Sequence, residues 1–277
     1  MAEAAATGIE RIAGAFDAAR QEGRAALMPY AMGGFPDPDA SRAIAEAYVD
    51  AGADLVELGV PFSDPLADGP VIHAAATRAL AGGATLEGVL GICERVASRV
   101  PVVPMVYANM VLARGVSEFA RLLARAGAAG AIVPDLPLEE AGELGEALAA
   151  GGIALVPLVA PTTPDARRKR IYASARGFVY VVSETRVTGE RDELPEGLEE
   201  LVAAVRAGTS VPAAVGFGIG TPEQAAAVGR IADGVIIGSR LVRAAAQAGS
   251  GPAAAEEVSG FLRAARAAMA AAATSSG

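Results

Sequence analysis

The sequence has few of the side chains that form disulfides and metal centres. Its 277 residues include one cysteine, one histidine and no tryptophan. The single cysteine, Cys93, cannot form an internal disulfide, and one imidazole with one thiol leaves almost nothing for a zinc site. We therefore expect a protein of a reducing compartment without a metal centre.

Positive charge is also scarce. Lys and Arg number 23 against 32 Asp and Glu, which gives a formal net charge of −9, whereas a nucleic-acid-binding surface needs clustered positive charge. No apolar run reaches the roughly 18 residues of a membrane helix. The first residues contain an acid, Glu3, and no apolar signal segment. These features predict a cytoplasmic protein that binds neither nucleic acid nor a membrane.

Eight short apolar runs alternate with longer Ala-rich stretches that have helical periodicity. Continuous apolar runs are typical of parallel strands that are covered on both faces. No GxGxxG turn follows the first run, which disfavours an open doubly wound sheet. The runs are residues 26–32, 54–60, 100–107, 130–134, 153–159, 178–182, 211–217 and 234–238.

Eight strand-plus-helix units in a chain of this length predict an α/β protein, a single-domain (β/α)8 TIM barrel over residues 1–277. Two ordinary domains are the alternative. The prediction includes an extra N-terminal helix, a short helix after the eighth strand and a disordered tail over about 270–277. In such barrels the active site lies at the C-terminal ends of the strands.

Three acidic residues lie where that rule places the site. Glu57 interrupts an apolar strand, where burial would raise its pKa and suit it to proton transfer; the alternative is an outward-facing side chain. Asp64 and Asp68 lie in the following loop, which two prolines and a glycine stiffen. They either face the site or cap turns.

The last two strands each run into a glycine-rich turn and a helix start. Gly218 and Gly220 follow one strand, and Gly238 and Ser239 follow the next. This pattern predicts the phosphate site of such barrels, built from backbone N–H groups at a helix N-terminus. Ordinary turn glycines are the alternative.

Three further features have simpler interpretations. The polar segment 183–197 lacks apolar periodicity, which predicts a lid or binding loop or, alternatively, a disordered surface loop. We expect His73 to be structural rather than catalytic, on a helix face. Cys93 lies among apolar residues and is expected in the core.

Several longer motifs resemble the tryptophan synthase alpha chain family, and the resemblance covers nearly the whole chain. The most specific is ELGVPFSDPLADGP, residues 57–70. The others, in family order, are residues 29–38, 107–109, 134–137, 187–191 and 216–219. The resemblance implies an eight-unit barrel that cleaves indole-3-glycerol phosphate to indole and glyceraldehyde 3-phosphate, without a cofactor or metal on this chain.

The resemblance also implies roles for individual residues. Glu57 would be the proton-transfer group, and Asp68 would accept the ring N–H and stabilise positive charge. Substrate-binding residues would be Tyr30, Ile72, Tyr107, Leu158, Tyr180 and Thr188. Phosphate-binding residues would be Gly189, Phe217, Gly218, Gly238 and Ser239.

The family implies a partner as well. Indole passes to a beta chain that carries pyridoxal phosphate, and we expect an alpha2-beta2 heterotetramer with a monomeric free alpha chain. Asp64, Asn109 and Pro137 match the family's contact surface around the barrel mouth.

Two positions depart from the family pattern. Arg186 replaces a common glycine in the predicted lid, where arginine would be strained if that glycine used a positive φ, and Met32 stands where many members carry Thr. The competing hypotheses are another phosphate-binding barrel enzyme and a regulatory subunit with little turnover. A synthase that needs a catalytic lysine is disfavoured, because the only lysine is Lys169, on a predicted helix.

Overall fold

The computed structural model describes residues 6–183, 194–216 and 218–274. They form nine short parallel strands, which lie in the order β5-β4-β3-β2-β1-β9-β8-β7-β6. The strands are β1 (Ala26–Met32), β2 (Val56–Gly59), β3 (Val102–Met105), β4 (Gly130–Ile132), β5 (Ala154–Val156), β6 (Leu158–Val159), β7 (Val179–Val182), β8 (Ala213–Gly216) and β9 (Gly234–Ile237).

These nine strands occupy the eight predicted runs. β5 and β6 both come from the run 153–159, which Pro157 divides. Proline has no N–H to give to a strand ladder, so pairing stops there. The two ends of the ladder are therefore adjacent in the chain, and the sheet is a nearly closed barrel. The predicted TIM-barrel fold is confirmed.

Helices surround the strands and connect them. The helices are α1 (Gly8–Gln21), α2 (Pro38–Asp50), α3 (Pro70–Ala81), α4 (Leu86–Ala97), α5 (Ala108–Arg114), α6 (Val116–Arg125), α7 (Gly142–Ala150), α8 (Asp165–Ser174), α9 (Leu198–Gly208), α10 (Pro222–Ile231), α11 (Ser239–Gln247) and α12 (Gly251–Thr274). The described helices include none long and apolar enough to cross a membrane.

The core has two layers. The inner cluster fills the barrel, and it includes Met28, Leu55 and Val103, with Ile12 and Phe16 of α1 packed against its strand residues. The outer cluster joins the strands to the surrounding helices and includes Cys93, which is fully buried as expected. The predicted extra helix is thus α1, and it closes one end of the barrel interior.

The C-terminal helix α12 covers part of the predicted disordered tail. The helix α12 continues to Thr274, further than a tail beginning near position 270 would allow, and residues 275–277 lie outside the described part. The assignment of residues 1–277 to one domain stays a prediction.

Candidate active site

A cavity of about 240 Å³ lies at the C-terminal ends of the strands. It gathers nine of the predicted site residues, although they come from six strands and the loops and helices that follow them. They are Tyr30, Glu57, Asp68, Ile72, Leu158, Tyr180, Gly218, Gly238 and Ser239. Thr188, Gly189, Phe217 and Arg186 lie outside the described residues.

Glu57 points into the barrel because of strand alternation. Its neighbours Val56 and Leu58 belong to the outer cluster, so the residue between them faces inward. Its side chain is fully buried, and no described residue gives either carboxyl oxygen a hydrogen bond. Burial raises the pKa of Glu57 to about 8. The carboxyl is therefore mostly protonated at neutral pH, and the outward-facing alternative is excluded.

Asp68 reaches the same cavity from the loop between β2 and α3. Burial raises the pKa of its carboxyl, while a hydrogen bond from the Tyr107 hydroxyl and the nearby His73 both act to lower it. Its electrostatic surroundings thus differ from those of Glu57, whose pKa shift comes from burial alone. Two carboxyls with different surroundings are suited to two different roles.

Two tyrosines span the cavity because glycines leave room for them. A methyl group on Gly59 would lie 1.9 Å from the Tyr30 hydroxyl oxygen, and one on Gly216 would lie 2.3 Å from that of Tyr180. Tyr30 is buried and Tyr180 is partly buried, both near Glu57 and Asp68, and their pKa values are raised well above the usual value, mainly by desolvation. They remain neutral hydrogen-bonding groups.

Tyr107 has a different position from the one expected. It is not among the residues that line the cavity but contacts the loop carrying Asp68. Its ring stacks on Phe62 with centroids 5.0 Å apart. The expected apolar wall is instead formed in part by Met105, Pro134 and Ile236.

The opposite end of the cavity is the predicted phosphate site. Gly238 is the N-cap of α11, the short helix expected after the last strand, and Ser239 is its first residue. The N–H groups of a first helical turn have no partner within the helix. A side-chain atom on Gly218 would meet nothing within 4 Å, so its backbone is open to a ligand.

Gly220 serves a structural purpose instead. Its N–H donates to the Gln224 side chain at 2.7 Å, within the capping box that Thr221 and Gln224 form at the start of α10. The backbone approach to a ligand predicted for Gly220 is therefore wrong, because this N–H already has an acceptor.

Sequence reasoning missed several cavity residues. Ser183, which is buried, and Gly69 both line it, as do Met105 and Pro134. Gly59 and Gly216 had a detectable signal, since each is a glycine inside an apolar strand, which often marks a close approach. Within the described ranges there is no group of three or more side chains that could hold a metal ion.

The rim of the barrel mouth is exposed. Asp64 and Pro137 are exposed on the loops after β2 and β4, and Asn109 is exposed in the first turn of α5, which follows β3. Two large apolar side chains accompany them, Leu66 at 89% exposure and Leu112 at 67%. His73 is exposed on α3, as expected for a residue on a helix face.

Comparison with known proteins agrees with this geometry. A family model described as tryptophan synthase alpha chain matches residues 16–272. The tryptophan synthase alpha chain of Roseiflexus castenholzii is 48% identical over 246 residues, 88% of this chain and 94% of that one. That of Carboxydothermus hydrogenoformans is 48% identical over 84% of this chain and 88% of its own.

Solved structures show the same similarity. A chain of Mycobacterium tuberculosis tryptophan synthase superposes with a TM-score of 0.86 at 38% identity, over 96% of this chain and 99% of that one. Tryptophan synthase subunit alpha of Legionella pneumophila also gives 0.86, at 34% identity, over 96% and 99%.

Proposed function

Because this chain belongs to the tryptophan synthase alpha chain family, we propose that its cavity cleaves indole-3-glycerol phosphate with Glu57 as the proton-transfer group. The chain is the carbon–carbon lyase subunit of tryptophan biosynthesis. The observation that carries the proposed role is the buried Glu57 carboxyl, which faces the cavity without a hydrogen-bond partner among the described residues and whose pKa burial raises to about 8.

The chemistry requires two proton movements. A proton added to C3 of the ring gives an indolenine-like intermediate. The C3–C3′ bond then breaks, its electron pair restores the indole ring, and the C3′ hydroxyl loses its proton as the aldehyde forms. Neutral Glu57 supplies the first proton and, as a carboxylate, takes up the second, so the side chain is regenerated.

Asp68 provides the complementary charge. Positive charge develops on the ring nitrogen when C3 is protonated, and an ionised carboxylate that accepts the ring N–H stabilises it. Tyr30, Tyr180, Leu158 and Ile72 supply the walls that hold the ring between the two carboxyls.

The described part of the phosphate end contains no positively charged side chain. Among the described residues that line the cavity there is no Lys or Arg, so backbone N–H groups and the positive end of the α11 dipole are the available phosphate ligands. Gly218, Gly238 and Ser239 would hold the phosphate in this way. The substrate-binding role of Thr188 and the phosphate-binding roles of Gly189 and Phe217 stay predictions.

Replacing Ser239 with Asp is expected to weaken substrate binding strongly. An acid in the first turn suits the helix itself, but its carboxylate would repel the phosphate. We expect KM for indole-3-glycerol phosphate to rise by about 10-fold or more, from about 1.4 kcal/mol or more of lost binding, with kcat changed less. Steady-state kinetics measure both constants.

The matched control for this prediction is Ser239→Ala, which removes the hydroxyl without adding charge. It is expected to raise KM much less than Asp does. An equal KM for the wild type and the Asp variant would show that phosphate does not bind at the start of α11.

The barrel mouth is proposed as the docking surface for a beta chain, since members of this family work with one. Asp64, Asn109 and Pro137 surround the cavity, and the exposed Leu66 and Leu112 add the apolar contacts that a stable interface needs. We propose an alpha2-beta2 heterotetramer, a monomeric free alpha chain and a cytoplasmic location.

A charged substitution on this surface tests whether the beta chain docks there. Leu66→Asp is expected to weaken association with a tryptophan synthase beta chain, because it replaces an exposed apolar side chain of the proposed docking surface with a charge. Light scattering after size-exclusion chromatography measures the masses. Leu80→Asp, on α3, is the control and is expected to associate normally. A tight homodimer of the isolated chain would contradict the proposed assembly.

One assay separates the lyase from the competing hypotheses. Indole release from indole-3-glycerol phosphate, measured with and without a beta chain, is expected in both conditions. A chain that binds the substrate and stimulates the beta chain but releases no indole would be a regulatory subunit. The effect of Arg186 on closure of the lid stays a prediction.

A further inference from the structure

We infer that Tyr107 is a positioning residue for the lyase reaction: it fixes the loop that carries Asp68 and directs its hydroxyl hydrogen at the Asp68 carboxylate. This inference rests on the proposed role of Asp68 as the group that receives the ring N–H. It assigns Tyr107 to the support of the second carboxyl rather than to the wall of the substrate pocket.

Tyr107 contacts the Asp68 loop at two separate points. Its ring stacks on Phe62 near the start of the loop, with 21° between the ring planes. Its hydroxyl oxygen accepts a hydrogen bond from the N–H of Ala67 at 3.1 Å. Because Tyr107 is the N-cap of α5, two residues after the end of β3, and is 3% exposed, a firmly packed residue holds the neighbouring loop in place.

The first hydrogen bond determines the direction of the second. Since the hydroxyl oxygen accepts from the Ala67 N–H, its own hydrogen can point elsewhere, and the adjacent Asp68 carboxylate is the acceptor it meets. Burial keeps the phenol protonated, so it always has a hydrogen to donate. A donor aimed at a carboxylate stabilises the ionised form.

Other groups face Asp68 and do not provide the same contact. His73 of α3 lowers its pKa through charge alone. Tyr30 of β1 and Tyr180 of β7 also lie within electrostatic range of Asp68. Glu57 of β2 lines the same cavity. Among these groups, Tyr107 alone both contacts the Asp68 loop and acts on the pKa of Asp68 through its hydroxyl.

Removing the hydroxyl has a definite consequence. Tyr107→Phe keeps the ring stack on Phe62 but removes the donor, so the pKa of Asp68 should rise further above its usual value. The ionised form then requires a higher pH. We expect the acidic limb of the kcat/KM profile for indole formation to move upward by about one pH unit, with kcat reduced more than KM is raised at pH 6.

The experiment combines this pH profile with a carboxyl titration followed by 13C NMR on protein labelled at aspartate, with the Asp68 signal assigned by Asp68→Asn. The control is Tyr172→Phe, which removes a buried hydroxyl that has no hydrogen-bond partner in the described structure, on the distant helix α8. In Tyr107→Phe, both the acidic limb of the kcat/KM profile and the Asp68 titration should shift to higher pH. In Tyr172→Phe, neither should shift.

The possible outcomes separate this inference from the proposed function. An unchanged Asp68 titration and acidic limb in Tyr107→Phe would overturn the role given to Tyr107, while the wild type still released indole. A wild type that released no indole would overturn the proposed function, and the NMR titration would still decide whether Tyr107 stabilises the Asp68 anion. A uniform fall in rate with no pH shift would indicate a structural role only.

Discussion

The variant Glu57→Gln is expected to lose the lyase step, with kcat for indole formation lowered by about 10²- to 10⁴-fold, the usual contribution of a general acid–base group. Glutamine has nearly the same shape but neither donates an acidic proton nor takes one up. The cavity and its phosphate end are untouched, so KM should change little. Steady-state indole release between pH 6 and 9 measures both constants.

A matched control is Glu46→Gln, because Glu46 is an exposed acid on α2 that pairs with Arg95 away from the cavity. It should keep the wild-type rate. If Glu57→Gln also retained most of the indole-forming rate, another group would have to move the proton.

The same variant should be more stable than the wild type at high pH. The pKa of Glu57 is raised in the folded protein to about 8 from a usual value of 4.5, so between these values the native state keeps a proton that the unfolded state loses. Wild-type stability therefore falls as pH rises through this window, by up to roughly 5 kcal/mol at about 1.4 kcal/mol per pH unit. The side chain introduced by Glu57→Gln does not ionise, so the stability of this variant does not fall in this way.

Urea unfolding at pH 5 and pH 9 measures this effect. The free energy of unfolding of Glu57→Gln, relative to that of the wild type, should be higher at pH 9 than at pH 5. A difference that did not depend on pH would mean that Glu57 is ionised in the folded protein at both values.

Asp54→Ala should produce the largest loss of stability. Asp54 lies before β2 at the end of the barrel opposite the cavity, where it accepts hydrogen bonds from both terminal nitrogens of the buried Arg24 and from the Leu27 N–H. The Arg24 side chain is 1% exposed. Removing one partner of such a buried pair costs about 3–5 kcal/mol.

Asp50→Ala is the control for Asp54→Ala. Asp50 also pairs with an arginine, Arg99, but both side chains are about half exposed, and such surface pairs contribute about 0.2–1 kcal/mol. Thermal or urea unfolding compares the two variants. Equal losses of stability would show that burial of Arg24 does not determine the strength of its pair.

Local patterns predicted the barrel well because each strand is a continuous apolar run. The observed β1 occupies 26–32, as predicted, since apolar residues fill it from end to end. Pro157 was the available signal for the division of the fifth run, but an uninterrupted apolar stretch concealed it. Glu57 was identifiable because a charged residue in such a run is costly without a role.

Contacts between loops were harder to predict. The position of Tyr107 depends on Phe62 and Ala67, which are about 40 residues away in the chain. The Gly220 N–H donates a hydrogen bond to the Gln224 side chain, which belongs to a capping box. A glycine-rich turn before a helix start occurs both in capping boxes and in phosphate loops, so the turn alone did not reveal this role of Gly220. Local sequence alone does not distinguish these alternatives.

In the proposed mechanism, burial keeps the Glu57 carboxyl protonated at neutral pH, so that it can supply the proton to C3 of the ring. Infrared difference spectroscopy of the wild type against Glu57→Gln tests it directly, since a protonated carboxyl has a separate C=O band. We predict that this band is present at pH 6 and 7 and disappears as pH passes about 8. A Glu57 carboxylate band already complete at pH 6 would contradict the claim.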